Sequence, residues 1–125
     1  MELEEINKLT ERIIGCAIEV HRALGPGMLE SIYEAALCME LSRAGLSFKK
    51  EVMIPVIYKG VKLGEQRIDL LVEDEVILEL KSVERMDPVF DAQLLGYLRM
   101  AQKKVGLLIN FNEKMLKHGI SRMVL

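Results

Sequence analysis

Four residues in two short runs carry the chemistry this chain could perform: Asp69, and Glu79-Leu80-Lys81 with the acid and the base on alternate positions. The run Val76–Lys81 reads as a buried strand, apolar on both faces until Glu79 and Lys81 interrupt it. In an extended chain residues two apart share a face, so the carboxylate and the ammonium point the same way. Charges are costly to bury unless they pair or bind a metal. An isolated pair of this kind is ordinarily a buried ion pair or a strand end that reaches solvent.

Its surroundings add acids. Arg67-Ile68-Asp69-Leu70-Leu71-Val72 is a second apolar run, and Glu73-Asp74-Glu75 is a tight polar turn joining it to the Glu79 strand. The two strands are therefore antiparallel neighbours, and counting back from the turn places Asp69 close to Glu79. Adjacent carboxylates in an apolar sheet repel and raise each other's pKa unless a cation lies between them. Lys81 neutralises only one of them. Converging carboxylates make a hard-oxygen site suited to Mg²⁺ or Mn²⁺.

The elements that must position these groups follow from periodicity. Ile6, Leu9, Ile13, Ala17, Val20 and Leu24 recur at three- and four-residue steps, so a first helix spans about Leu3–Leu24, stopped by Gly25-Pro26-Gly27. His21 near its end faces the helix dipole or solvent more readily than it serves as a ligand. A second helix is expected over about Leu29–Ala44, closed by Gly45. On it Glu30 and Glu34 lie four apart on one side with Tyr33 beside them, although acids in a first turn also simply complement the dipole.

Val52, Ile54, Val56 and Tyr58 alternate along a strand that Pro55 assigns to an edge, and Lys59-Gly60 turns it into the strand that begins at Val61. Gly64 is expected to bulge or break that strand. Asp87-Pro88 starts a third helix running to about Lys103, with Gln93 and Tyr97 four apart on one side. Val105–Asn110 is a short apolar strand reached by that helical crossover. A basic loop over 113–119 and a last short strand over 120–125 complete the chain.

Length and composition set bounds. A chain of 125 residues is one domain, 1–125, and with 50% hydrophobic residues it is globular. A net charge of −2 does not supply the basic face of a dedicated nucleic-acid binder. Arg99–His118, however, carries five Lys or Arg against one Glu. Cys16 and Cys38 have no metal-binding spacing and read as buried thiols. Acidic residues where a signal peptide needs basic ones, and no apolar run of ~18–20 residues, point to a cytoplasmic protein with no membrane span.

With acids on the second helix and two adjacent strands, and Gln-x-x-x-Tyr on the next helix, the chain resembles the PD-(D/E)XK nuclease superfamily. Asp69 and Glu79-Leu80-Lys81 stand for its motif. Gln93-Leu94-Leu95-Gly96-Tyr97 looks like the QxxxY element of the RecB-type branch, and Gly27-Met28-Leu29-Glu30-Ser31-Ile32-Tyr33-Glu34 is similar to the signature of the GxxExxY proteins. The likeness runs through Gly106–Phe111, with one departure: Phe90 stands where those proteins carry a His.

The resemblance implies an α/β fold of α+β-like character. Its restriction-endonuclease-like core has helices flanking a central mixed sheet of about four to five strands. It implies a Mg- or Mn-dependent nuclease acting on nucleic acid, DNA foremost, as a homodimer or with a protein partner. Asp69, Glu79, Glu30 and the Leu80 carbonyl would hold the metal, and Lys81 would orient or activate water or neutralise a phosphate oxygen. Gln93 and Tyr97 would position the phosphate, with Tyr33 and Glu34 in support. Two alternatives stay open: a weak or inactive nuclease fold that binds nucleic acid or protein, and a purely structural ion network.

Overall fold

The apolar stripe of the first helix is buried as its spacing predicts. In the computed structural model, which describes residues 1–125, α1 spans Leu3–Leu24 and buries Ile6, Leu9, Ile13, Ala17 and Val20. Gly25 ends it at φ 68°, its N–H donating to the His21 carbonyl at 2.7 Å. The second helix, α2, spans Glu30–Arg43. Its end is a Schellman turn: Gly45 N–H donates to the Ser42 carbonyl and Leu46 N–H to the Leu41 carbonyl, both at 3.0 Å. Tyr33, Leu37 and Leu41 face inward. Leu29 and Ile32 are 72% and 45% exposed, because the helix packs on one narrow stripe.

The strands form one mixed sheet in sequential order: β1 (Phe48–Tyr58), β2 (Val61–Val72), β3 (Val76–Lys81), β4 (Val105–Asn110) and β5 (Ile120–Val124). The first three are antiparallel, β3 and β4 are parallel, and β5 returns antiparallel to β4. The parallel step uses α3 (Pro88–Ala101) as its crossover, started by the Asp87 carboxylate, which accepts from Val89 N–H at 2.9 Å. The bulge expected at Gly64 is present: Val56 pairs with Gly64 and Ile57 with Lys62, so Leu63 of β2 is the extra, unpaired residue beside the glycine. The segment expected as a basic loop holds a 3₁₀ turn over Leu116–Gly119.

Helices α1 and α2 pack on one face of the sheet over Leu70, Val72, Leu78, Leu80, Leu107 and Ile109. On the other, α3 lays Leu94 and Leu98 over Ile68, Leu71, Ile77 and Leu108. α3 comes close because Gly106 of β4 has no side chain: a Cβ there would stand 2.8 Å from Leu94 Cδ1. Ile68 and Leu71 share a face although three residues apart, so strand alternation breaks at the residues between them. On β1, Glu51, bracketed by the pairs Lys50–Leu70 and Val52–Ile68, sits in the left-handed region at φ 52°.

Candidate active site

Asp69 lies where β2 and β3 part. Their ladder ends at the pair Leu70–Leu78, and the next rung would set Asp69 against Glu79. There the Asp69 carboxylate takes over from the backbone: its Oδ2 accepts the Leu80 N–H at 2.7 Å. The side chain thus satisfies a strand donor that the departing β2 no longer serves.

Glu79 is 8% exposed, and its Oε1 has no hydrogen-bond partner. Burial, then the charge of and a hydrogen bond with Asp69, push its pKa up to about 8, while Lys81 pulls the other way. Glu79 and Lys81 share the face of Ile77, the one α3 covers. Lys81 Nζ stands 4.2 Å from the centroid of the Phe90 ring on α3, a cation–π contact. Tyr97, half-buried on the same helix, has its pKa raised by burial and then by Glu79 and Asp69. Gln93, one turn earlier, is exposed.

From the other side α2 contributes Glu30 and Glu34. They line a cavity of about 230 Å³ with Ser31, Glu51, Arg67, Asp69 and Leu80. Glu30 is exposed at the first residue of the helix. Glu34 is half-buried with Oε1 unpartnered, and burial, then Asp69 and Glu51, raise its pKa against the lowering by Lys50 and Arg67. One carboxylate, Asp69, is therefore the shared electrostatic neighbour of groups on α2, β3 and α3.

Tyr33 is not among the acids. It is fully buried, stacked on Phe111 with centroids 4.5 Å apart and planes within 8°. Its hydroxyl donates to the Gly25 carbonyl at 2.5 Å and accepts from Met28 N–H at 3.1 Å. Gly27, between them, has φ 98°. The Gly-x-x-Glu-x-x-Tyr spacing thus has a physical reading: a buried tyrosine ties down the turn from which Glu30 emerges.

Three contributors escaped the reading of the sequence. Glu51 and Arg67 pair across β1 and β2 at 3.5 Å and line the α2-side cavity, but in sequence they look like ordinary exposed strand charges. Asn110 is wholly buried at the end of an apolar strand. Its amide donates to the Val83 carbonyl at 3.0 Å and its carbonyl accepts from Val83 and Asn112, at 3.1 and 3.2 Å. Phe111 N–H also donates to the Lys81 carbonyl at 2.9 Å, so the chain leaving Lys81 is pinned. A polar residue closing an otherwise apolar strand was the available signal.

No three His, Cys, Asp or Glu side chains come together in metal-holding geometry; Glu30 shares the α2-side cavity with Asp69. The Asp69–Glu79 pair still fits a small hard cation. The unpartnered Glu79 Oε1 and the neighbouring Asp69 are the donors such an ion lacks, and Mg²⁺ is usually held by one or two carboxylates plus waters.

No helix is long and apolar enough to cross a membrane. A family profile described as the PD-(D/E)XK nuclease superfamily matches residues 7–123. Neither a curated protein nor a solved structure matches the chain.

Proposed function

The chain belongs to the PD-(D/E)XK nuclease superfamily, and from that premise we propose that it is a divalent-metal-dependent nuclease of the GxxExxY type, hydrolysing phosphodiester bonds in DNA or RNA. The observation that carries this reading is the buried Glu79 carboxyl beside Asp69, its Oε1 left without a partner, with Lys81 two residues along the same strand face. Structural ion networks pair their charges; a buried acid with one oxygen left open next to a second acid is built for something that arrives later.

Asp69, Glu79 and the Leu80 carbonyl would hold Mg²⁺ or Mn²⁺. When bound, such an ion lowers the pKa of water and offsets charge on the phosphate. The residues of the chain do the rest. Lys81 places an ammonium where a non-bridging phosphate oxygen gains charge, or orients the attacking water. Phe90 limits where that ammonium can sit. Tyr97, its pKa raised, stays protonated at neutral pH and donates to the phosphate with Gln93. Glu34, whose pKa is raised by burial and by the neighbouring Asp69, supports the site from the α2 side of the acids' cavity. Substrate grip by a −2 chain draws on the basic side chains of 99–118, presented twice in a homodimer or supplemented by a protein partner.

The test is cleavage of single- and double-stranded DNA and RNA with Mn²⁺, comparing wild type with Lys81→Ala and Asp69→Asn. Activity should vanish in both; activity that survives both belongs to a contaminant and ends the proposal. The engagement of Lys81 by Phe90 favours a second reading, a nuclease fold that binds without cutting. Calorimetry separates them: specific Mn²⁺ uptake lost in Glu79→Ala rejects the binding-only reading.

A further inference from the structure

Tyr97 borders a second concavity on the side away from the acids' own cavity. It holds about 260 Å³ and lies between the β1–β2 hairpin and α3, lined by Val56, Gln66, Gln93, Gly96, Tyr97 and Met100. We infer that this groove seats one unpaired nucleobase of the strand whose phosphate is held at Asp69, Glu79 and Lys81. The identity of the ligand rests on the nuclease reading above.

Size comes first. Pockets for drug-sized ligands run roughly 300–1,000 Å³, so this groove suits a single flat ring system rather than a helix or a second protein. Its chemistry is that of a base. No acidic or basic side chain lines it, so its floor offers no charge to a phosphate. Val56, Met100 and the Tyr97 ring give apolar surface for a π-face, and base–aromatic stacking tolerates any sequence. Gln66 from β2 and Gln93 from α3 flank that surface with exposed carboxamides, each offering both a donor and an acceptor to a base edge.

Gly96 is the second line of argument. It sits inside α3, where glycine costs about 1 kcal/mol against alanine. No neighbour requires it: a Cβ added there meets nothing within 4 Å, and its backbone is not in the left-handed region. The contrast with Gly106, whose absent Cβ makes room for Leu94, is direct. At Gly96 the missing side chain leaves open space in the groove. Tyr97 links the two places, since its hydroxyl feels Glu79 and Asp69 while the residue lines the groove. A base seated there belongs to a nucleotide next to the phosphate at the acids.

The experiment compares binding of short single-stranded DNA and RNA oligonucleotides with that of the same strands made wholly abasic, which keep their phosphates. Fluorescence anisotropy is read in chelator so that nothing is cut. Wild type should prefer the intact strands by roughly tenfold, the scale of one stacked base. Gly96→Leu should bind both kinds equally, at the wild-type abasic affinity. Leucine is a better helix former than glycine and has room, so this variant folds, and an unreduced melting temperature verifies it. No preference in wild type, no binding at all, or a preference kept in Gly96→Leu overturns the inference. Base preference without Mn²⁺-dependent cleavage leaves the groove standing and removes the nuclease reading; equal cleavage of intact and abasic strands does the reverse.

Discussion

On one face of the sheet α1 and α2 enclose a core of 20 buried residues; on the other α3 alone closes a cluster of seven, two of them its own Leu94 and Leu98. The charged pair of β3 points into the second, thinner layer. The deep layer can therefore supply most of the burial energy, while the shallow one buries Glu79 yet keeps Tyr97, Gln93 and Gly96 within reach of solvent. A group must be desolvated to be perturbed and accessible to be useful, and one helix laid over a strand end meets both needs. The two layers should then fail differently when mutated.

Glu79→Gln should show the largest effect on function. Cleavage should fall by on the order of a hundredfold or more, while stability moves the other way. Between its ordinary value of 4.5 and its folded value of about 8, Glu79 keeps a proton in the folded protein that the unfolded chain has lost. Metal-free wild type must therefore lose stability as pH rises through that window. Denaturant midpoints in chelator should fall from about pH 5 to about pH 8 in wild type and stay level in Glu79→Gln. A level wild-type curve would show that Glu79 is not perturbed.

Leu37→Ala, in the deep layer, should invert the pattern. Leu37 is 0% exposed, and its truncation should remove about 3 kcal/mol of stability. Cleavage per folded molecule should be unchanged, and a specific loss of activity would break the distinction between the layers. Gly106→Ala probes the spacing of the shallow layer. Its Cβ would press on the flexible end of Leu94, so a loss of about 1 kcal/mol is expected from thermal or denaturant unfolding. Smallest is Phe90→Leu. Removing the ring beneath Lys81 forfeits a contact worth roughly 0.5–1 kcal/mol, so kcat should drop only a few-fold and return in Phe90→Tyr, with KM unmoved.

Much of this arrangement is local and therefore legible in the chain. The meeting of Asp69 and Glu79 follows from a short turn and a period of two, and Asp87-Pro88 marks the start of α3 by capping chemistry alone. What depends on tertiary approach is not. Lys81 and Phe90 meet only because α3 folds back over β3. The hydroxyl of Tyr33 finds Gly25 and Met28 only once the turn closes, so a residue that periodicity places beside two acids proves to brace their loop. Glu51 and Arg67 join the acids' cavity because the strand alternation breaks between Ile68 and Leu71, which no pattern of apolar residues announces.

The outer strand β1 carries one further consequence. An unpaired strand edge is an invitation to lateral growth, in which a second chain extends the sheet and assembly continues without limit. Along β1 that template is interrupted twice, by the left-handed Glu51 and by Pro55, which has no N–H to offer, while the neighbouring β2 bulges at Leu63. The opposite margin, β5, is only five residues long. Irregularities that look like flaws in a single molecule act between molecules as barriers to fibril-like stacking.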